Sequence, residues 1–230
     1  MLATGSMKTS IRISPKSIFK ANLILILLLV VAHLIFGTRN YGEGWQKEWA
    51  RFFSLDWEEN LPTLIATLSL LCSSLLSISI SLISELKRKS RLLWVGLGVI
   101  FLALSIDEWE GIHERIEFSG AGSWAYFYLL GSIVFISLYS AFVISLPNRI
   151  RNLMVISFVL FMLGSVGMEL IALQALRLEA NPAIPLYFFF STVEEALELV
   201  AIAIFNYTLI RYFLYFKTVS IQLPTNELLV

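Results

Sequence analysis

Six long apolar stretches alternate with short polar segments along the chain. Each is about 18–24 residues long, enough to cross the ~30 Å hydrocarbon core of a bilayer as an α-helix that rises 1.5 Å per residue. Because the connections are short, we expect an all-α membrane protein with one bundle of six transmembrane helices. The predicted spans are residues 19–37, 61–84, 92–112, 124–146, 153–176 and 187–210.

The bundle is predicted to occupy residues 19–212, between an N-terminal segment, 1–18, and a C-terminal tail, 213–230. The basic residues ahead of the first apolar stretch resemble the start of a signal peptide, but no small-x-small cleavage site follows that stretch. We therefore expect an uncleaved first span. Residues 1–6 precede a second methionine, Met7, and are compatible with the remnant of an expression tag.

Composition narrows the class of protein. The chain is 57% hydrophobic and 15% charged, with a mean hydropathy of +0.78, which is typical of polytopic membrane proteins. A formal net charge of zero, without a basic stripe or zinc-finger spacing, predicts no nucleic-acid binding. Cys72 is the single cysteine, so no intrachain disulfide can form, and its position inside a span predicts a buried, inert thiol.

The distribution of basic residues predicts the orientation of the bundle. With the N-terminus inside, twelve of the 17 Lys and Arg residues fall on the cytoplasmic side and five on the outer side. This positive-inside bias places both termini in the cytoplasm. The cytoplasmic set is Lys8, Arg12, Lys16, Lys20, Lys87, Arg88, Lys89, Arg91, Arg149, Arg151, Arg211 and Lys217, and the outer set is Arg39, Lys47, Arg51, Arg115 and Arg177.

The first outer loop contains an amphipathic segment between Trp45 and Trp57. Trp45, Trp49, Phe52 and Phe53 recur at helical spacing, with polar residues mostly on the other side. We expect a short helix at the outer membrane interface, where it anchors the loop or, alternatively, forms a lid over a substrate.

Serines recur at every fourth position of the second span, at Ser69, Ser73, Ser77 and Ser81. Small residues at this spacing let the backbones of neighbouring helices approach closely. The stripe therefore predicts helix packing rather than a polar conduit.

The third, fifth and sixth spans carry acidic residues, which lipid disfavours. A charged side chain at the bilayer centre costs at least ~2.5–3.5 kcal/mol on insertion scales, so these groups must pair, bind a cation, hold protons or face water. The polar set is Asp107, Glu108, Glu110, His113 and Glu114 around the end of the third span, Glu169 in the fifth, and Glu194, Glu195 and Glu198 in the sixth.

Depth along the helices brings these residues together. The third and fifth spans run outward, so Asp107 and Glu169 lie ~22–24 Å along them. The sixth runs inward, so Glu194 and Glu198 lie only ~10–17 Å below the outer surface. We therefore expect one outward-facing site in the outer half of the bundle, with His33 of the first span as a hydrogen-bonded packing residue.

The residue types in this predicted site suit a divalent metal ion. Glu110 and His113 have the Glu-x-x-His spacing with which carboxylate di-metal bundles ligate an ion from one helix. An oxygen-rich set with one imidazole favours Mn, Fe, Mg or Ca. The predicted ligands are Asp107, Glu110, His113, Glu114, Glu169, Glu194 and Glu198, and the predicted catalytic carboxylates are Glu108 and Glu195. Protonated, mutually hydrogen-bonded carboxylates and a water-filled vestibule are the alternatives.

Four short motifs follow one another along residues 56–200. They are Asn60-Leu61-Pro62-Thr63, then Leu104-Ser105-Ile106-Asp107-Glu108 leading to His113-Glu114, then Gly167-Met168-Glu169, then Glu194-Glu195-Ala196-Leu197-Glu198. In this order they resemble a group of uncharacterised bacterial polytopic membrane proteins. The resemblance implies a six-span membrane protein with an acidic/His cluster, and no known activity. Intramembrane ceramidase-like hydrolases use several zinc-binding histidines, whereas this chain has two histidines in all.

The inner halves of the acid-bearing spans contain scarcely a polar side chain, whereas a transporter needs polar access from both sides. A one-sided acidic pocket favours an enzyme in which the ion activates water and a spare glutamate is the general base. We predict a metal-dependent enzyme of the bacterial inner membrane, with its site facing the periplasm or exterior, that acts on a lipid or lipid-linked substrate. Cation or proton transport is the second candidate function and a scaffold or assembly subunit the third; the oligomeric state stays open.

Overall fold

The computed structural model describes residues 10–11, 14–37, 45–83, 85–115, 123–171, 185–216 and 221–222. Its helices are α1 (Pro15–Gly37), α2 (Trp45–Phe53), α3 (Leu61–Ser81), α4 (Arg88–Glu110), α5 (Ile112–Arg115), α6 (Ser123–Ser145), α7 (Asn148–Met162), which continues into a π-helical segment (Leu163–Met168), and α8 (Pro185–Phe216). Two-residue strands, β1 (Ser10–Ile11) and β2 (Ile221–Gln222), pair antiparallel. The segments that precede α1 and follow α8 therefore meet.

Within the described residues, five helical stretches are long and apolar enough to cross a membrane: Pro15–Phe36, Leu61–Ser81, Arg88–Glu110, Tyr126–Ser145 and Asn148–Ile171. The protein is thus an all-helical membrane protein, as the sequence predicts. Residues 172–176 of the fifth predicted span lie outside the described residues. The sixth predicted span, 187–210, lies within α8, which packs against α1, α3, α7 and the π-helical segment. Protein neighbours therefore surround much of the helix that carries three glutamates.

Helix α4 ends at Glu110, two residues before the predicted end of the third span. Gly111 adopts the left-handed backbone conformation with φ 56°, and its N–H bonds to the carbonyl of Asp107, a common way for a helix to end. His113 consequently lies on the separate helix α5. The prediction that Glu110 and His113 share one continuous helix face is wrong, because Gly111 turns the chain between them.

The serine stripe of α3 packs against neighbouring helices, as predicted. Ser73 Oγ donates a hydrogen bond to Asn206 Oδ1 of α8 at 2.9 Å, and Ser74 Oγ donates to the carbonyl of Gly98 of α4 at 2.7 Å. Three members of the stripe, Ser73, Ser77 and Ser81, are buried, and so is Ser74 beside it. The prediction that Cys72 is buried is wrong: its side chain is exposed, because the serine face turns it away from the other helices.

A large apolar cluster occupies one end of the bundle. It forms where α3, α6 and α8 approach their ends and where α4 and α7 begin, so successive helices alternate in direction. Trp94 is fully buried there, with the ring centroids of Phe142 and Tyr212 each 5.2 Å away. We call the buried set the apolar core: Ile80, Ile83, Trp94, Leu97, Tyr139, Phe142, Leu146, Ile150, Met154, Phe205, Leu209 and Tyr212.

Helix α2 is amphipathic, as predicted, and it ends at Phe53. The rings of Trp49 and Phe53 stack on Phe36 near the end of α1, at centroid distances of 6.2 and 5.3 Å. Trp49 and Phe52 remain substantially exposed. An exposed aromatic face next to a span suits a membrane interface.

Candidate functional site

Three glutamates in the first half of α8 face a collection of other acids. Glu194 is buried, with 8% of its surface exposed. Its carboxyl group lies within electrostatic range of three other acids, Glu198, Glu169 and Asp56. Like charges repel strongly where water is scarce, so an ionised Glu194 among other ionised acids would cost free energy.

The other two glutamates of α8 reach the acids of α4. Glu195 lies within electrostatic range of Glu108, and Glu198 lies within range of Glu108, Asp107 and His113. The structure therefore brings together acids that are distant in sequence. We call the whole set the acidic cluster: Asp56, Glu58, Asp107, Glu108, Glu169, Glu194, Glu195 and Glu198.

Asp107, His113 and Tyr128 form a hydrogen-bonded group at the edge of the acidic cluster. Asp107 Oδ1 accepts the backbone N–H of His113 at 3.0 Å, and its Oδ2 accepts the Tyr128 hydroxyl at 2.5 Å. His113 Nδ1 lies 3.3 Å from Asp107 Oδ2. Burial lowers the pKa of His113, but the hydrogen bond and charge of Asp107 outweigh burial and raise it to about 9. Asp107 thus fixes the position of the imidazole and favours its charged form.

The loop between α2 and α3, Ser54–Asn60, brings two acids that the sequence analysis did not select. Asp56 Oδ1 accepts a hydrogen bond from Ser191 Oγ of α8 at 2.5 Å, and Asp56 acts on Glu194 and Glu195. The charge of Glu58 interacts with the side chains of Glu198 and His113. The signal was present in Asp56-Trp57-Glu58, directly before the second span, but a loop position alone does not separate it from a solvated acid.

Asn60 holds this loop in shape. Its Nδ2 lies 2.6–3.1 Å from the carbonyl oxygens of Arg51, Ser54 and Trp57. Its Oδ1 accepts the N–H of Thr63 at 3.1 Å and so caps the start of α3. One buried side chain therefore ends α2, shapes the loop and begins the next helix.

His33 of α1 holds the same loop from the other side, which confirms its predicted role as a packing residue. The backbone N–H of Leu55 donates to His33 Nδ1 at 3.0 Å, so Nε2 carries the proton and donates to Thr192 Oγ1 of α8 at 3.0 Å. Phe188 stacks on the imidazole at a centroid distance of 4.5 Å. His33 thereby ties the loop that carries Asp56 to the helix that carries the glutamates.

The π-helical segment runs directly against the acidic face of α8. A Cβ at Gly164 would lie 2.9 Å from Glu198 Cγ and 3.0 Å from the carbonyl oxygen of Glu194, so only glycine allows this approach. Glu169 follows the segment by one residue and acts on Glu194. π-helical turns occur often at functional sites, and here the turn lies next to the buried carboxylates.

The remaining predicted site residues, on α4 and α5, differ in their burial. Glu108 is partly buried and belongs to the acidic cluster, whereas Glu110 is exposed at the end of α4. Glu114 belongs to α5, and its side chain lies outside the described part of the structure. Among the described side chains, no three His, Cys, Asp or Glu residues stand close enough together to hold a metal ion. An ion would therefore require these side chains to move closer together.

A model of an uncharacterised family, described as a domain of unknown function (DUF8692), matches residues 22–212. The chain belongs to this family. The match spans the helices from α1 to α8 and includes every member of the acidic cluster. The chain matches no curated protein and no solved structure.

Proposed function

We propose that the protein is a metal-dependent membrane enzyme whose acidic cluster binds a divalent cation and acts on a lipid or lipid-linked substrate. One observation carries the proposal: the described structure brings Glu194 and Glu195 of α8 within electrostatic range of four further acids, Glu198, Glu108, Glu169 and Asp56. Such an arrangement costs free energy unless protons or a cation neutralise it. A divalent ion would neutralise it and also supply chemistry.

The proposed ligands come from both sides of the cluster. Glu194 and Glu198 of α8, Glu169 next to the π-helical segment and His113 of α5 lie around one region, and carboxylate-rich ligation favours Mn, Fe, Mg or Ca. Because Asp107 already accepts hydrogen bonds from His113 and Tyr128, its proposed role is to orient the imidazole. That Glu110 and Glu114 are ligands stays a prediction, because Glu110 is exposed at the end of α4 and the side chain of Glu114 lies outside the described structure.

A bound divalent ion would supply Lewis-acid chemistry, which would activate a water molecule or polarise an oxygen of the substrate. Glu108 and Glu195 act on each other and border the proposed ligands, so either can serve as the general base. A lipid substrate is proposed because the cluster belongs to a bundle of apolar helices.

We propose this enzyme ahead of a transporter because of the packing around Asn206. Asn206, two turns beyond Glu198 on α8, is buried; its Nδ2 donates to the carbonyl of Ser69 at 2.9 Å and its Oδ1 accepts from Ser73. It fastens α8 to α3 instead of lining a polar path. Beyond it lies the apolar core, which a transported ion would have to cross.

Metal content tests the proposal directly. Detergent-purified protein should contain a divalent ion in stoichiometric amount, and Glu198→Gln should lower that content at least tenfold. Glu85→Gln, an acid beyond the other end of α3, is the control and should keep the ion. Turnover of labelled lipids by the wild type, absent in Glu195→Gln, would support the catalytic part of the proposal.

Thermal unfolding gives the same test a second readout. An ion at about 100 times its Kd stabilises the folded state by ~2.7 kcal/mol. Chelator should therefore lower the unfolding temperature of the wild type and leave that of Glu198→Gln unchanged. Chelated Glu198→Gln should unfold at or above the temperature of the chelated wild type, because one of the repelling charges is gone. A metal-free wild type whose unfolding ignores both chelator and Mn²⁺ would contradict metal binding.

A further inference from the structure

An apolar cavity of about 760 Å³ lies between α4, α6, α7 and α8. Its volume is within the range of sites that bind small molecules. Phe127 and Ile136 of α6 line the cavity and are about half exposed, so it opens sideways toward the surface of the bundle. A ligand dissolved in the membrane can therefore enter without crossing water.

Three polar side chains along the cavity wall bond to backbone carbonyls. Ser132 Oγ donates to the carbonyl of Leu129 at 2.7 Å, and Ser157 Oγ donates to the carbonyl of Ala201 at 2.7 Å. The Tyr139 hydroxyl donates to a carbonyl of α4 at 3.2 Å. The wall therefore suits a ligand that makes no hydrogen bonds along its length, because burying an unsatisfied polar group is costly.

The cavity adjoins the acidic cluster at one end. Tyr128 lines the cavity, and its hydroxyl donates to Asp107 Oδ2 at 2.5 Å. From Tyr128 to Ile144, the last α6 residue that lines the cavity, the helix advances ~24 Å. That length is most of the ~30 Å hydrocarbon thickness of a bilayer.

We propose that this cavity binds the hydrocarbon chain of a membrane lipid and that the lipid head group lies at Tyr128, Asp107 and His113. The proposal that a lipid hydrocarbon chain occupies the cavity rests on the cavity alone. The assignment of the bound lipid as substrate rests on the proposed function, because it places the head group beside the carboxylates that would perform the chemistry. The site thereby selects an amphiphile with a long, unbroken apolar chain.

Gly131 gives a way to fill the cavity. It lies on the cavity face of α6, and a Cβ added there meets no atom within 4 Å. A large side chain at this position should therefore occupy the space of the lipid chain without displacing a neighbouring residue. Leu138, on the same helix, is 64% exposed and does not line the cavity, so Leu138→Trp is the matched control.

The probe is a phosphatidylcholine with a diazirine in the middle of one acyl chain, incorporated into nanodiscs with the full-length protein. After illumination, mass spectrometry should find adducts on Phe135 and Phe158, which face the cavity, more than on Leu130, which does not line it. Gly131→Trp should reduce the cavity adducts at least fivefold, and Leu138→Trp should leave them unchanged. If Gly131→Trp fails to fold, judged by size-exclusion chromatography, Gly131→Leu should give a smaller reduction.

Two outcomes overturn the proposal: equal labelling of Leu130 and the cavity residues, or cavity adducts that survive both substitutions of Gly131. Glu198→Gln separates this proposal from the proposed enzyme, because it should lose the ion but keep the adducts. Cavity adducts in a wild type that binds no metal would support the lipid site and contradict the metal-dependent enzyme. Ion binding without cavity adducts would support metal binding and contradict the lipid site.

Discussion

The two halves of α8 have contrasting surroundings, one acidic and the other apolar. The half near Glu194 meets acids from α4, from the residue after the π-helical segment and from the α2–α3 loop. Single hydrogen bonds join this half to its neighbours, from His33 to Thr192 and from Ser191 to Asp56. The half near Leu209 and Tyr212 packs into the apolar core. Stability should therefore come mainly from the apolar core, while the acidic cluster brings together groups of like charge that repel one another.

The largest expected effect belongs to the apolar core. Trp94→Ala should cost ~3–5 kcal/mol of unfolding free energy, because it empties a fully buried position between Phe142 and Tyr212. Val99→Ala, on the same helix but 59% exposed, is the control and should change stability by no more than ~0.5 kcal/mol. Thermal and denaturant unfolding in one detergent measure both.

The same variant tests whether the two ends are independent. Folded Trp94→Ala protein should retain the metal content of the wild type, because sites separated by more than ~7–10 Å without shared partners contribute additively. Loss of the ion from protein that is still folded would show that the apolar core and the acidic cluster act as one unit.

A smaller effect should come from the His113–Asp107 pair. The folded-state pKa of His113, about 9, exceeds the usual 6.5, so the pair stabilises the folded state fully below pH 6.5 and loses that contribution as the pH rises through 9. The shift sets an upper limit of ~3 kcal/mol on the loss. In chelator, the stability difference between wild type and His113→Gln should therefore shrink between pH 6.5 and pH 10.

The chelator matters because a metal ion at His113 would require a neutral imidazole and would compete with the proton. An unchanged difference between the two proteins across this pH range would mean that His113 is not protonated beside Asp107.

The sequence predicts the helices well, because long apolar stretches admit few alternatives to a spanning helix. It also predicts that Asp107, Glu169 and Glu194 lie at a similar depth in the bundle. Successive helices alternate in direction, so the position of a residue along its helix gives its depth. Local patterns fail where one residue changes the geometry: Gly111 ends α4 and separates Glu110 from His113.

Long-range contacts explain what the sequence does not reveal. Asp56 and Glu58 join the acidic cluster only because His33, Asn60 and Ser191, from three different helices or their boundaries, fix the loop. Tyr128 reads as one of several aromatic residues in an apolar helix, and nothing local indicates its bond to Asp107. Such contacts depend on which helix faces meet, which periodicity alone does not determine.

The smallest structural perturbation tests which end of the bundle faces outward. Lys47 of α2, near the acidic cluster, and Lys89 of α4, near the apolar core, are both exposed, so cysteine at either position should change stability by no more than ~0.5 kcal/mol. In a Cys72→Ser background, an impermeant thiol reagent added to intact cells should label Lys47→Cys. Lys89→Cys should react only after the membrane is permeabilised, because the positive-inside bias places its end in the cytoplasm. Labelling of Lys89→Cys but not Lys47→Cys from outside would reverse the orientation and turn the acidic cluster, and any substrate it accepts, toward the cytoplasm.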